Sequence, residues 1–226
     1  GALKQVMLHR PGNELNRLTI SNMDELLFDD LIWLEQAQRE HDNFADILRQ
    51  EGCEVLYFNE CLANVIQDKD VRASLLKDVF SYECLDRRVS DGLSDVFMDL
   101  PSDNLASHLI EGYTKEETAK ICKTSLSLVS LVENGSEFLI HPIPNLYFQR
   151  DPAATIGNGI IIGQMTFEAR QREPLYWKYI TKYHPRFNGM DIIFGDAPDE
   201  IWPHKVEGGD LLVLSEKAMA IGVSQR

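Results

Sequence analysis

Three short segments of this sequence place charged side chains beside glycine, proline and aromatic residues, a common composition for a binding loop. They are residues 143–152 (IPNLYFQRDP), 167–174 (FEARQREP) and 207–210 (EGGD). Carboxylate and guanidinium groups bind opposite charges with directed, charge-assisted hydrogen bonds, and paired glycines allow another group to approach the backbone closely. Taken singly, each segment also fits ordinary surface structure: a loop with an internal Arg150–Asp151 contact, a solvated helix start and an acidic turn.

The charge balance excludes one class of partner. Among 226 residues, 22 are Lys or Arg and 36 are Asp or Glu, which gives a formal net charge of −14. Such a chain repels nucleic acid phosphates, so we expect no nucleic acid partner. The balance suits a cationic small molecule, although it also serves solubility alone. No apolar run reaches the ~20 residues of a membrane-spanning helix and no signal peptide is seen, so we expect a cytoplasmic protein.

The cysteines and histidines show no metal or disulfide pattern. The cysteines are widely and unevenly spaced, without a CxxC pair, which argues against zinc and against a disulfide framework; they are Cys53, Cys61, Cys84 and Cys122. We expect reduced, buried structural thiols, because a reactive cysteine needs an accessible, electropositive setting. His41 is predicted to be a packed core residue, and His141 and His204 flank the charged segments, where a structural role is favoured.

The elements that position these segments begin with an α/β pattern. Residues 3–9 read as a strand closed by a turn at Pro11-Gly12. Apolar residues recur at three- and four-residue steps from about residue 32 to residue 50, which predicts a helix with Gly52 at its C-terminal cap. Its predicted apolar face contains Leu34, Ala37, His41, Phe44, Ala45 and Leu48. Residues 53–58 then form a short apolar strand.

Residues 59 to about 132 are predicted to form several short helices. Asn59 is placed to cap the first, and Pro101 fits the first turn of another. Thr114 and Glu117 have the spacing of a capping box. Without a glycine- and proline-rich linker, this stretch is interpreted as a helical insertion rather than an independent domain.

Strands return near residue 137. The predicted strands cover residues 138–140, 155–162, 191–194, 211–214 and 219–223, with a turn at residues 157–159 (GNG) inside the second. Residues 168–183 are predicted to be helical and to stop before Pro185. Because Arg170 and Arg172 are two residues apart, they do not share a helical face and are expected to serve different partners.

Taken together and in order, the motifs resemble the arginine deiminase family. Residues 144–151 (PNLYFQRD) look like its PNxxFxRD motif. The other matching segments are 8–12 (LHRPG), 24–30 (DELLFDD), 170–173 (RQRE), 207–210 (EGGD) and 221–226 (IGVSQR). The resemblance covers essentially the whole chain, most loosely in the helical stretch. Dimethylarginine hydrolases and amidinotransferases share the general fold but are not expected to show the full set.

The resemblance implies hydrolysis of L-arginine to citrulline and ammonia, with no metal or organic cofactor. It also implies an α/β fold, an incomplete five-bladed propeller of ββαβ modules with an inserted helical domain. The corresponding division is residues 1–60 for the first module, residues 61–136 for the helical bundle and residues 137–226 for further modules.

The resemblance also implies roles for particular side chains. Asp151 and Glu207 would face the substrate guanidinium as catalytic residues. The family pattern gives the following groups to substrate binding: the carbonyl of Leu27 for the ammonium, Asn145, Arg170 and Arg226 for the carboxylate, Phe148 for packing, and Asp210 as a contact or as support for Glu207.

The implied mechanism is covalent: a cysteine thiolate attacks the guanidinium carbon, ammonia leaves, and water releases citrulline while a histidine moves protons. In the family both groups lie downstream of the position matched by Arg226, so this chain is expected to be inactive alone. Because an incomplete propeller exposes apolar surface at its open edge, we also expect the chain to associate as a homo-oligomer. Two alternatives stay open: a non-catalytic arginine-binding or interaction module, and a sibling enzyme acting on methylated arginine or transferring amidino groups.

Overall fold

The computed structural model describes residues 2–121, 137–196 and 205–222. These residues divide into two compact units, Gly1–Pro144 and Asn145–Arg226. Within the described ranges, no helix has both the length and the apolar character that crossing a bilayer requires.

The first unit opens with a strand, a helix and a second strand, as predicted. Strand β1 (Gln5–Leu8) and strand β2 (Glu54–Tyr57) are joined through helix α1 (Leu34–Gln50). The two strands pair in parallel, as strands joined by a helical crossover can. Gly52 follows α1 with a φ of +79°, the left-handed conformation that glycine adopts at low cost after a helix.

Helix α1 lies more exposed than its sequence predicts. Of its predicted apolar face only Ala45 is buried, and Phe44 is 50% exposed. His41 is half-buried, so the prediction that it is a core residue is wrong. Among the described residues, the sheet that accompanies α1 has two strands, and these do not cover the whole apolar face of a long helix.

Short helices follow as predicted. They are α2 (Phe58–Val65), α3 (Lys69–Tyr82), α4 (Arg87–Asp99), α5 (Ser102–Glu111) and α6 (Lys115–Ile121). The carboxylates of Asp68 and Asp86 accept backbone N–H groups at the starts of α3 and α4. The prediction that Asn59 caps α2 is wrong, because β2 runs directly into the helix and Tyr57 occupies the cap position.

The capping box before α6 is confirmed. The N–H of Glu117 donates to Oγ1 of Thr114 at 3.1 Å, and the N–H of Thr114 donates to Oε2 of Glu117 at 2.8 Å. Pro101 occupies the N-terminal cap of α5, one position before the predicted one. Strand β3 (Tyr113–Thr114) pairs antiparallel with β4 (Phe138–Ile140).

A buried arginine fastens the helices of the first unit. Arg72 of α3 is only 6% exposed. Its guanidinium donates to the carbonyl oxygens of Ile66, Met98 and Leu100 at 2.8–2.9 Å and to the hydroxyl of Ser102 at 2.7 Å. These bonds satisfy carbonyls near the ends of α2 and α4, which the helices themselves leave without partners. Nearby, Phe97 and Tyr113 pack edge to face at 5.0 Å in the apolar core.

The second unit is built around a three-stranded sheet. Strands β5 (Ala153–Ile156) and β6 (Gly159–Ile162) form a hairpin, and β7 (Asp191–Phe194) pairs in parallel with β6 after helix α7 (Glu173–Tyr183). This order is ββαβ. The hairpin turn is confirmed, with Gly157 at a φ of +60°. The predicted helix over residues 168–183 divides into a 3₁₀ turn (Glu168–Arg170) and α7.

The second unit also contains a hairpin of β8 (Leu211–Ser215) and β9 (Ala218–Ile221). Leu211 packs with Ala154 and Ile161 in a small core. The last residue of the final predicted strand, residue 223, lies outside the described residues. The α/β class is confirmed. Among the described residues the sheets are small and none closes into a barrel, so the five-bladed propeller and the three-part division remain predictions.

Candidate functional site

The first and third charged segments meet in the second unit. The N–H of Gly208 donates to the carbonyl oxygen of Asp151 at 2.9 Å. The Arg150 side chain donates in turn to the carbonyl oxygens of Gly208 at 3.3 Å and Leu211 at 2.8 Å. Arg150 therefore fastens the two segments together, a role that the sequence did not indicate.

Glycine makes this contact possible. A Cβ atom at Gly208 would overlap the carbonyl oxygen of Arg150. A Cβ atom at Gly163 would lie 2.9 Å from the carbonyl oxygen of Asp151 and 3.1 Å from that of Val206. Both glycines thus serve close approach of backbone to backbone. By contrast, a Cβ atom at Gly209 would meet nothing within 4 Å.

Arg170 joins the second segment to the first. It is 8% exposed. Its Nε and Nη2 atoms donate to the two carboxylate oxygens of Glu173, both at 2.9 Å, and its Nη1 atom donates to Oδ2 of Asp151 at 2.7 Å. Burial by itself would lower the pKa of Arg170, but the bonds to Glu173 and Asp151 outweigh it and raise that pKa.

Glu173 was not assigned a role from the sequence, yet it is the most buried charged group of this cluster. Its exposed fraction is 0%. Burial raises the pKa of its carboxyl to about 7, with the negative charges of Asp151 and Glu207 acting in the same direction and Arg170 opposing them. Glu173 is the last residue of the RQRE segment that resembles the family, but that resemblance gave it no role of its own.

Glu207 and Asp210 stabilise each other across the EGGD turn. The N–H of Glu207 donates to Oδ2 of Asp210 at 3.1 Å, and the side chain of Glu207 accepts the N–H of Asp210 in a reciprocal capping box. Oε1 of Glu207 also accepts the N–H of Thr166 at 3.1 Å. Glu207 is therefore held by backbone donors on both sides.

Asn145 and Phe148 flank Arg170 in the first segment. Asn145 is 4% exposed and follows the start of a 3₁₀ turn (Pro144–Tyr147). Its carbonyl oxygen accepts the N–H of Phe148 at 3.0 Å and lies 3.5 Å from Nη2 of Arg170. The Phe148 ring is 47% exposed, and the guanidinium carbon of Arg170 lies 5.8 Å from its centroid. That distance permits a cation–π contact.

Leu27 and Arg226 complete the set of predicted site residues. Leu27 belongs to the first unit, is 38% exposed and has a φ of +65°. A bulky residue in the left-handed region is a strained outlier of the kind that clusters at functional sites. Arg226 lies outside the described residues.

Three of the four cysteines lie within the described ranges, and two of them are buried. Cys53 and Cys61 are buried, as predicted, and burial raises the pKa of the Cys61 thiol to about 11, with Glu60 adding to the effect. Cys84 is exposed, so the prediction of a buried thiol is wrong there, because the residue occupies a surface turn after α3. Cys122 and His204 lie outside the described residues.

Nothing in the described part of the chain resembles a metal centre, since no group of three or more His, Cys, Asp or Glu side chains converges there. His141, which was noted for its position beside the first segment, pairs with Glu83, whose Oε2 lies 2.7 Å from its Nδ1. Both residues belong to the first unit.

The cluster in the second unit is acidic in balance. Its carboxylates are Asp151, Glu173, Glu207 and Asp210, and its guanidinium groups are Arg150 and Arg170. The Arg150 side chain donates to backbone carbonyls, and Arg170 forms ion pairs with the carboxylates of Asp151 and Glu173. A site of this kind attracts a small organic cation and can accept its N–H groups with directed hydrogen bonds.

Comparison with known proteins gives one consistent result. The family model "Arginine deiminase" matches residues 24–226. The chain is 42% identical over 235 residues to an arginine deiminase of Staphylococcus aureus (strain MRSA252), with 100% of the chain and 54% of the relative covered. It is also 42% identical over 234 residues to an arginine deiminase of Streptococcus gordonii (strain Challis), covering 100% of the chain and 55% of the relative. The chain thus spans about half the length of the curated relatives it matches.

Proposed function

The chain belongs to the arginine deiminase family, and from that membership we propose that it supplies the substrate-binding part of an enzyme that hydrolyses L-arginine to citrulline and ammonia. The observation that carries the proposal is the junction of Asp151 with the Glu207-Gly208 turn in one acidic cluster. This bond joins the segments of two acidic residues that are far apart in sequence, and it supports the proposal that both carboxylates bind one small cation.

Asp151 and Glu207 are the groups we assign to the substrate guanidinium. Each carboxylate accepts N–H groups in charge-assisted bonds, worth roughly 1.5–3 kcal/mol apiece when well formed. Glu207 is oriented by the N–H groups of Thr166 and Asp210. Asp210, whose carboxylate caps the Glu207 N–H, acts as the support of Glu207.

Arg170 is assigned to the substrate carboxylate, and its geometry restricts how it can bind. Its Nε–Nη2 edge is occupied by Glu173, and its Nη1 atom donates to Asp151. Nη1 is therefore the donor that can leave Asp151 and bind the carboxylate of an incoming substrate instead. Such an exchange would also release Asp151 toward the guanidinium.

The other contacts complete the pocket for a free amino acid. Asn145 and Arg226 would assist Arg170 at the carboxylate, and Phe148 would cover the aliphatic stem and exclude water, which strengthens charge contacts. The carbonyl of Leu27 would accept the substrate ammonium. In the covalent mechanism of the family, a cysteine and a histidine carry out bond cleavage and proton transfer, so the residues assigned here bind and orient the substrate.

Calorimetric titration of this chain with L-arginine tests the proposal. We expect binding that weakens at least about tenfold in Asp151→Asn and in Glu207→Gln, because each loses a charge-assisted contact. Asp191→Asn, which alters an exposed carboxylate on β7, is the matched control and should bind as the parent does. Citrulline, which lacks the positive charge, should bind more weakly than arginine. Equal affinity in the parent, Asp151→Asn and Glu207→Gln would overturn the assignment.

A non-catalytic arginine-binding module is the second candidate. The observation that favours it is the buried setting of Cys53 and Cys61 together with the raised pKa of the Cys61 thiol, since a thiol held protonated at neutral pH is a poor nucleophile. Both candidates predict that the chain alone forms no citrulline, so the reading frame beyond Arg226 separates them. A continuation that encodes a histidine and a late cysteine supports the enzyme, and a stop codon supports the binding module.

A further inference from the structure

Glu173 is a buried carboxylate for which the proposed function has given no direct task. It is the first residue of α7 and is 0% exposed. Removing an ion from water is costly unless a partner with good geometry compensates for the lost hydration. Its position at the amino end of a helix offers part of that compensation through the helix dipole.

The remaining compensation comes from Arg170. Both carboxylate oxygens of Glu173 accept from the guanidinium, one from Nε and one from Nη2, each at 2.9 Å. This is the bidentate arrangement that fixes a guanidinium in direction as well as in distance. With that edge held, the guanidinium plane cannot turn, and Nη1 points to Asp151 at 2.7 Å.

We propose that Glu173 is a positioning residue of the arginine site: by holding the Nε–Nη2 edge of Arg170, it makes Nη1 the donor offered to Asp151 and to a bound substrate. This inference rests on the proposed function of Asp151 and Arg170. Glu173 acts through Arg170 and is not assigned any contact with the substrate.

Charge gives Glu173 a second effect. An isolated Arg170–Asp151 pair would be neutral and would attract a cationic ligand weakly. Above its pKa of about 7, Glu173 is ionised and shares the positive charge of Arg170. The three groups then carry a net negative charge together, and Asp151 keeps its attraction for a guanidinium. The exposures of the two side chains agree with these roles: Asp151 is 29% exposed and can reach a ligand, whereas Glu173 is 0% exposed and contacts Arg170.

Two measurements on the whole chain test the inference. The first is the ¹⁵N-resolved NMR signal of the Arg170 Nε–H in ligand-free protein, assigned by its loss in Arg170→Lys. The parent should show a signal protected from solvent exchange, and Glu173→Gln should lose that protection. The second is calorimetric titration with L-arginine at pH 8, above the Glu173 pKa of about 7. There Glu173→Gln should weaken affinity about tenfold, because a buried charge partner has been removed.

Glu168→Gln is the matched control, because Glu168 is an exposed carboxylate in the 3₁₀ turn that contains Arg170. It should leave both the NMR signal and the affinity unchanged. If Glu173→Gln does not fold, as judged by amide dispersion, Glu173→Asp replaces it. Aspartate keeps the charge but is one methylene shorter, so it should lose the two-pronged contact and part of the affinity.

The outcomes separate the two proposals. Parent protein that binds arginine with the same affinity as folded Glu173→Gln or Glu173→Asp overturns the positioning role and leaves the proposed function intact. A Nε–H signal that is unprotected in the parent also overturns the positioning role. Failure of the parent to bind arginine overturns the proposed function, and the positioning role falls with it.

Discussion

Gly208 and Asp151 are joined by a backbone hydrogen bond of 2.9 Å, and this bond brings the EGGD turn against the segment that carries Asp151. The turn approaches so closely that only a hydrogen fits at the Cα of Gly208, since a Cβ atom would overlap the carbonyl oxygen of Arg150. The next residue, Gly209, has open space around its Cα. Alanine substitution at Gly208 therefore tests the close contact, and alanine substitution at Gly209 is a control for the loss of a glycine without that contact.

Gly208→Ala should destabilise the second unit by about 1–3 kcal/mol or more, because the overlap can be relieved only by moving backbone. It should also weaken arginine binding through displacement of Glu207. Gly209→Ala should change stability by no more than about 0.5 kcal/mol. Urea unfolding followed by circular dichroism, together with calorimetry, provides the measurement. Equal stability of the two variants would contradict this account of the turn.

Glu173 should make stability depend on pH in a recognisable direction. Its folded pKa of about 7 lies above its ordinary value of 4.5. The unfolded chain therefore gives up this proton at lower pH. The stabilisation is complete below about pH 4.5 and is lost as the pH rises through about 7.

The free energy of unfolding of the parent relative to Glu173→Gln should accordingly fall by on the order of 1–3 kcal/mol between pH 4.5 and pH 8. Denaturant titrations of both proteins across this range give the difference at each pH. The same series on Glu168→Gln should run parallel to the parent. A difference that rises with pH would mean that the carboxyl of Glu173 is stabilised in its charged form.

Leu27 should tolerate glycine better than valine. Its φ of +65° suits glycine, while a β-branched residue meets its own backbone there. Leu27→Gly should stay within about 1 kcal/mol of the parent in unfolding free energy, since relief of strain offsets the lost side chain and the added freedom of the unfolded chain. Leu27→Val should cost about 1–3 kcal/mol. If valine proves harmless, the left-handed conformation of Leu27 carries no strain.

The cysteines should differ sharply in reactivity. Cys84 is exposed, while Cys61 is buried with a thiol pKa raised to about 11. At pH 8, iodoacetamide should modify Cys84 quickly, and Cys61 should react only after denaturation, because the thiolate is the reactive form. Peptide mass spectrometry at timed intervals identifies each site. Rapid labelling of Cys61 in the folded chain would show that its environment is open.

The β8–β9 hairpin should promote association of the chain. Leu212 is 59% exposed and Leu214 is 62% exposed, and exposed apolar strands favour contact with other molecules. Sedimentation velocity should show concentration-dependent oligomers that diminish in Leu214→Glu. Leu3→Glu, at a residue 57% exposed in the first unit, is the control and should associate as the parent does. A monodisperse monomer at high concentration would contradict the expectation.

Most of the secondary structure could be predicted from residues that are close together in the sequence. The Thr114–Glu117 capping box and the turn at Gly157 involve residues close in sequence, so composition and spacing were sufficient to predict them. Helix α1 was predicted with nearly the right bounds but the wrong burial. Apolar periodicity shows which side of a helix is apolar. Whether that side is buried depends on which other elements pack against it, and the sequence of the helix does not contain that information.

The candidate site, too, could be predicted only in part from the sequence. The charged segments were recognisable from composition and from resemblance to a family. Their junction was not, because the bonds from Arg150 to Gly208 and Leu211 connect residues distant in sequence and use carbonyl groups that every residue possesses. The burial of Glu173 likewise depends on what packs around the start of α7, a property of the tertiary structure that no short stretch of sequence encodes.

In the first unit, the buried Arg72 side chain links the ends of two helices. Because one guanidinium serves the carbonyls of Ile66, Met98 and Leu100, loosening any one of these helix ends disturbs the others. The helices around it should thus open to solvent as a single cooperative block, with amide protons in α2, α3 and α4 exchanging at a common slow rate. A segment that looks like separate short helices along the chain would then behave as one unit of unfolding.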